Sequence, residues 1–386
     1  MYSPVIVNVK NFVVVVALIL FTSCEAKKMV LTVQNPSGFD RRSQTVEIPL
    51  QDVEQRLGTF DYRKIELTDS HDASVAYQIT YDKKIIFQLD IKAGETQSFV
   101  LKKGKEIRKF EPKTYARFIK ERKDDFAWEN DKVAFRIYGA ALKPIDGPSN
   151  GIDVWYKKTD KLIIDKWYND DLTGKASYHE DHGEGLDDYK VGRSLGAGAM
   201  APFVNDSLWL NENFVYQELL ENGPIRSTFK LTYNKLNVNG KEYAETRTFS
   251  IDAGSQLTKI TQSYEGVSGK ITVAAGVVKR NGNDSIIAKD NYVIYLEPYS
   301  KKVENVAMAM VFPDGYKKTA LKTYKIGNDS YSHVLAVCDC DKSITYYSGY
   351  AWSKAGTFSD ISVFEKYIAE LSESLFQSLV INLMQE

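Results

Sequence analysis

The chain has 386 residues, more than one small core organises, and its 43% hydrophobic and 26% charged content excludes a disordered or membrane-embedded protein. Its formal net charge is −1 and the basic residues are dispersed, which leaves no electrostatic footprint for nucleic acid. Aromatic residues reach 12%, an excess that suits β-strands first and the flat walls of sugar-binding clefts second.

Residues 1–24 read as a signal peptide. Lys10 is the only charge before the apolar run from Phe12 to Phe21, which is too short to span a bilayer. Thr22-Ser-Cys24 follows and resembles a bacterial lipobox, with Cys24 as the lipidated residue, although Phe21 departs from the aliphatic residue of the strict pattern. A signal peptide with an incidental cysteine is the alternative. Beyond Cys24 the only thiols are Cys338 and Cys340; the one-residue spacing strains a disulfide and does not match zinc ligands, so both read as small buried hydrophobes.

Residues 28–106 alternate as short strands divided by turn chemistry, such as Asn35-Pro-Ser-Gly38, and predict a small β-sandwich. His71 lies there in a solvated turn. Residues 107–125 are strongly charged and read as a connecting segment or short helix. From 126 to 386 the pattern predicts a large antiparallel β domain. In Val133–Tyr138, Arg136 shares a face with Tyr138, which suits either a solvated face or a cleft where arginine forks a carboxylate. Gly151–Tyr156, with Trp155, and Leu162–Tyr168 flank a turn as strands. Ile225–Tyr233 and Ala244–Ile251 surround Asn239-Gly240, a hairpin signal; Arg226 in the first and Glu245 and Arg247 in the second could face a concave surface. Tyr350 and Trp352, in a glycine-rich aromatic loop, are candidates for a pocket wall, whereas His333 alternates with strand residues and reads as structural. Ser362 and Glu365 form a capping box, and Phe364, Tyr367, Ile368, Leu371, Leu375 and Leu379 recur at helical spacing, predicting a C-terminal helix.

The stretch Ser177–Gly198 concentrates chemistry. His179 and His182 stand among Asp181, Glu184, Asp187 and Asp188, with Tyr178, Tyr189, Lys190 and Arg193 beside them and glycines that permit tight turns. Three chemistries compete, against a solvated turn without chemistry. His179, Asp181 and His182 are ligand types for a divalent ion such as Ca or Zn, lacking a convincing further ligand. Alternatively His179 or His182 is the base, and Tyr178 or Tyr189 the acid, in β-elimination from a uronic acid, with Arg193, Arg136 or Arg226 neutralising the carboxylate. Glu184 could instead be one of two carboxyl groups in glycoside hydrolysis.

Phe126–Asn130, Arg136-Ile-Tyr-Gly139, Gly151–Tyr156, Tyr178–Gly185, Tyr189–Arg193, Gly223-Pro-Ile-Arg226 and Tyr347–Ser353 together resemble the family called domain of unknown function 4861, over nearly all of the chain after residue 24. The resemblance implies a Bacteroidetes lipoprotein of a polysaccharide-utilisation locus, in the Gram-negative outer membrane on its periplasmic or surface face. Its partner would be a uronate-containing glycan. It implies a galactose-mutarotase-like supersandwich and carries over no catalytic residues. The expectation is a lipid-anchored carbohydrate-active protein, by elimination in the first place. A glycoside hydrolase or epimerase is the alternative enzyme, and a non-catalytic glycan binder the alternative class. The substrate contacts expected are Arg136, Tyr138, Trp155, Arg226, Tyr350 and Trp352.

Overall fold

Alternation of apolar and polar residues carries through into the computed structural model, which describes residues 27–266, 268–326, 329–356, 358 and 360–385. The expected signal peptide and Cys24 lie outside the described residues. The protein is mostly β, built from antiparallel sheets with one long helix near its C-terminal end.

In the strand Lys28–Gln34, Met29, Leu31 and Val33 point to one face and are wholly buried. They share a core with Val46, Ile48, Ile85, Phe87, Phe99 and Leu101. That core lies between a three-stranded sheet (Arg41–Pro49, Lys84–Ile91, Tyr77–Ile79) and a four-stranded sheet. The four-stranded sheet contains a strand that local reading did not foresee: Val380–Gln385 pairs antiparallel with Lys28–Gln34, Met29 opposite Gln385. The N-terminal sandwich is therefore completed by the distal end of the chain.

The larger β region stacks three sheets around a second core. A nine-stranded sheet runs from Tyr216–Glu221 at one edge to Ser285–Ala288 at the other, and two five-stranded sheets contribute to the same core. Trp128, Phe135, Phe229 and Phe249 stack at its centre, their ring centroids 4.8–5.3 Å apart in successive pairs. The Asn239-Gly240 hairpin forms as expected: both residues have positive φ (55° and 83°), the geometry that matches strand twist in a two-residue turn. Cys338 and Cys340 are free, buried thiols.

Four local expectations are corrected. The connecting segment holds a strand, Thr114–Ile119, at the edge of a five-stranded sheet, followed by a 3₁₀ turn at Lys120–Arg122. Leu162–Tyr168 is not a strand: Ile164–Leu172 is a helix that buries Ile164, Trp167 and Tyr168 at helical spacing. Its start is fixed by Glu129, whose Oε1 accepts from the backbone N–H groups of Ile163 (2.7 Å) and Ile164 (2.8 Å). The C-terminal helix, Ile361–Phe376, is capped by Asp360 rather than Ser362, and Leu379 lies past its end, packed on the N-terminal core. Phe364 and Ile368 bury its stripe against Leu257, Ile294, Ala309 and Val311 of the nine-stranded sheet. Finally, Glu245 and Arg247 face the interior, each 1% exposed and paired at 2.7 Å.

The two β regions meet through polar contacts. The Gln78 side chain accepts from the N–H groups of Ile225 (3.0 Å) and Arg226 (2.8 Å) and donates to the Arg226 carbonyl (2.9 Å), acting as a short piece of strand. Arg226 itself bridges Glu47 of one region and Asp252 of the other.

Candidate functional site

The five-stranded sheet Gly185–Asp187, Asp153–Lys157, Ala134–Ile137, Asp125–Asn130, Thr114–Ile119 brings charged residues from four segments together. Its register sets Arg136 opposite Asp153, and Asp187 opposite Trp155. Arg136 is 3% exposed. Its Nη2 donates to Asp153 Oδ2 at 2.6 Å and to Asp187 Oδ2 at 2.7 Å, and its Nε donates to Asp153 at 3.0 Å. The Tyr138 hydroxyl donates to the same Asp153 oxygen at 2.6 Å. Asp125 lies 3.9 Å from Arg136, accepts from the Tyr168 hydroxyl at 3.1 Å, and meets Arg122 at 3.3 Å.

Three buried carboxylates thus surround one buried guanidinium. Burial pushes the Asp125 and Asp187 carboxyls up to about 6, against the opposing pull of Arg136. Burial alone would weaken the Arg136 cation, but Tyr138, Asp187 and Asp153 outweigh it and hold the guanidinium firmly charged. The fork of Arg136 is filled by the chain's own carboxylates. That corrects the expectation that it clamps a substrate carboxylate.

Above this cluster opens a cleft of about 750 Å³ whose wall includes Arg122, Tyr138, His179, Asp187, Tyr189 and Arg280. Its volume is that of a small-molecule site. The side chain of His179 is 59% exposed there, yet its Nδ1 is fixed 3.0 Å from the Asp187 main-chain oxygen and 3.6 Å from the Asp187 carboxylate. A carbonyl oxygen only accepts, so the neutral ring carries its proton on Nδ1 and presents a lone pair at Nε2. Arg280 lies 4.7 Å over the Tyr189 ring, donates to the Lys190 carbonyl at 2.8 Å and approaches Glu297 at 3.4 Å. Arg122, Arg136, Lys190, Lys279 and Arg280 stand on the wall with Asp187 and Asp188, and four of these cations have carboxylate partners: Arg122 with Asp125, Arg136 with Asp153 and Asp187, Lys279 with Asp284, and Arg280 with Glu297. Lys302 reaches over from another loop, 2.6 Å from Asp188 and 3.5 Å from the His179 carbonyl.

The other expected residues part company with His179. His182 turns its Nε2 to the Ser177 carbonyl at 3.1 Å and lines a small indentation with Tyr178 and Glu184. Glu184 is held by Lys166 (2.9 Å) and Trp167 (3.3 Å). Asp181 binds Lys158 and the backbone of Gly183 and Gly185. His179, Asp181 and His182 therefore do not converge, and among the described residues no group of three His, Cys, Asp or Glu side chains is placed to hold a metal ion. Tyr178 is 6% exposed and stacks on Trp155, its hydroxyl 3.5 Å from Arg136. Tyr189 is in the cleft wall, but its hydroxyl oxygen is buried. Neither tyrosine presents its hydroxyl to a ligand, which corrects their assignment as acid. Arg193 is partly exposed and does not line the cleft.

Trp155, Tyr350 and Trp352 are no more than 1% exposed and belong to the core. The Tyr350 hydroxyl donates to the Trp155 carbonyl, and Trp352 Nε1 to that of Val303. Their aromatic loop completes an inner strand and does not wall a pocket. Arg226 lines a different groove of about 770 Å³ between the two β regions, its fork filled by Asp252. His71 sits exposed in its turn. His333 is buried with Nε2 accepting from the Leu195 N–H at 3.2 Å, and burial pushes its pKa down to about 4.

Sequence reading missed Arg122, Arg280 and Tyr331 in the cleft wall. Arg122 stood in a charged run with no pattern to single it out. Arg280 and Tyr331 reach the cleft only because Ala197–Val204, Ile271–Lys279 and Asp329–Cys340 are neighbours in one sheet.

Residues 33–381 match the family model described as "Domain of unknown function (DUF4861)". The chain is 30% identical over 389 residues to "Uncharacterized protein P7" of Formosa agariphila, covering 96% of this chain and 98% of that protein. Among solved structures, a glycosyl hydrolase family 38 protein from Enterococcus faecalis aligns with 10% identity and a TM-score of 0.47 over 93% of this chain and 47% of its own length. A heparinase III aligns with 12% identity and a TM-score of 0.36, over 66% of this chain and 38% of its own. The chain therefore spans less than half of either solved protein.

Proposed function

We propose that this chain, which belongs to the DUF4861 family, cleaves uronic-acid-containing oligosaccharides by β-elimination in the His179 cleft. One observation carries the reading: a histidine with its Nδ1 fixed on Asp187, leaving Nε2 free of that bond, lines a cleft together with Arg122 and Arg280. Elimination from a uronate needs both features together. A cation must neutralise the carboxylate to acidify the neighbouring C5–H, and a base must remove that proton.

In the proposed step, Nε2 of His179 takes the C5 proton. The C–H electron pair forms a C4–C5 double bond, and the C4–O4 bond breaks. The departing oxygen takes a proton from Tyr331, the partly exposed cleft tyrosine, and Arg280 and Arg122 bind the carboxylate. A second reading is glycoside hydrolysis, favoured by Asp187: the residue lines the cleft and burial pushes its carboxyl above the ordinary aspartate range. Lipidation at Cys24 would tether the protein to the outer membrane, and metabolic labelling with a fatty-acid analogue, with Cys24→Ala as control, tests that anchor.

The reaction is tested with protein lacking residues 1–24, mixed with pectic, ulvan and glycosaminoglycan oligosaccharides, with and without a chelator. Growth of the unsaturated-uronate absorbance is the expected result. New reducing ends without that absorbance would replace elimination by hydrolysis. Glycan binding without either product would make the protein a binder and end the enzyme reading.

A further inference from the structure

The His179 ring is held far more firmly than an exposed loop residue requires. Below it runs a chain of hydrogen bonds that ends on the Asp187 carboxylate. Asp153 Oδ2 accepts from Tyr138 (2.6 Å) and twice from Arg136 (3.0 and 2.6 Å), and Arg136 Nη2 passes on to Asp187 at 2.7 Å. His179 Nδ1 donates to the Asp187 main-chain oxygen at 3.0 Å, and the Asp187 carboxylate stands 3.6 Å from the same nitrogen, a charge contact and not a hydrogen bond. The Asp187 backbone is itself tied, its N–H donating to the Tyr178 carbonyl at 2.8 Å. The Tyr178 ring stands edge-on to the imidazole, centroids 4.7 Å apart. His182, three residues on, has none of this: one carbonyl meets its Nε2.

We infer that Asp187, locked in place by Arg136 and Asp153, is the positioning residue that aims Nε2 of His179 into the cleft. The inference rests on the reading of His179 as the base. A cluster with three carboxylates around one central guanidinium is a poor device for stability, because desolvating those charges offsets their attraction. Beneath a cleft, it supplies what a general base needs: one tautomer, one ring orientation, and a negative charge behind the imidazolium formed when the proton arrives.

The test uses Asp187→Asn in otherwise unaltered protein, with folding checked by thermal melting. Nitrogen-15 spectra of the histidine rings, recorded without substrate, read the tautomer directly. Wild type should show His179 protonated on Nδ1 alone in a single ring environment, and the variant should keep that proton, which the main-chain oxygen of residue 187 holds, but show more than one ring environment. With a turned-over uronate substrate, kcat should fall on the order of 100-fold while KM stays within about threefold. Should Asp187→Asn fold poorly, Tyr138→Phe removes one bond to Asp153 and should lower kcat about tenfold in the same direction. A folded Asp187→Asn protein with the wild-type ring spectrum and unchanged kcat overturns the inference. If wild type turns over no uronate glycan, the function falls, while the ring spectra still decide what positions His179.

Discussion

Glu129 and Lys157 form an ion pair at 2.7 Å with neither side chain reached by solvent. Lys157 also donates to the Asn130 carbonyl, and the second Glu129 oxygen caps the helix Ile164–Leu172. The pair therefore ties the candidate sheet to the helix that precedes the histidine loop. Burial pushes the Glu129 carboxyl up and the Lys157 amine down, each countered by the other partner.

Removing one partner strands the other. Lys157→Ala should destabilise the protein by about 3–5 kcal/mol, because an uncompensated buried carboxylate remains. Urea denaturation against wild type measures this. A loss below about 1 kcal/mol would mean that water reaches Glu129.

The two loop histidines should behave differently. His179→Ala should lower kcat on the uronate substrate by about 10²–10⁴ with oligosaccharide binding largely kept. His182→Ala, whose ring lies outside the cleft, should stay within about threefold of wild type. Steady-state kinetics and calorimetric binding on both variants check the contrast, and equal losses would contradict the assignment of the cleft.

Arg280 should act on the carboxylate. Arg280→Ala should raise KM about tenfold or more, the scale of a lost charge-assisted hydrogen bond. A neutral oligosaccharide of the same length should lose little, and the gap between the two should shrink in high salt. Equal losses for both ligands would place Arg280 outside the recognition of charge.

Asp125 should leave a mark on stability against pH. Its carboxyl rises from the ordinary aspartate range to about 6, chiefly through burial. The folded state then binds this proton more tightly than the unfolded chain does. The stability contributed by Asp125 is present at acid pH and is lost as pH climbs from about 4 to 6. The difference between wild type and Asp125→Asn should therefore move by roughly 2–3 kcal/mol against wild type over that interval. Denaturation curves at successive pH values test it; a flat difference would mean an unshifted carboxyl.

Much of the fold was legible because strands declare themselves locally. Met29, Leu31 and Val33 alternate, and Asn239-Gly240 dictates its own turn. The histidine loop was legible by composition, and one of its two histidines does enter the cleft. What local reading missed was settled at long range. Trp352 and Tyr350 read as pocket aromatics, but the pairing of Ser343–Trp352 between Leu257–Glu265 and Val306–Val311 makes theirs an inner strand. Arg136 read as a substrate fork because nothing local announces that Asp153 and Asp187, from two other strands, already fill it. Helix Ile164–Leu172 was hidden behind its apolar start, and its cap comes from Glu129, more than thirty residues earlier.

The pairing of Met29 with Gln385 bears on how the protein is made. During vectorial synthesis the sandwich emerges before the larger β region, but its Lys28–Gln34 strand must wait for Val380–Gln385 before that edge is closed. Until then an unpaired row of backbone donors and acceptors stands open, the template on which neighbouring chains mispair. The sandwich that is synthesised ahead of the larger β region is thus completed after it, and the yield of correctly assembled molecules depends on how quickly Val380–Gln385 arrives.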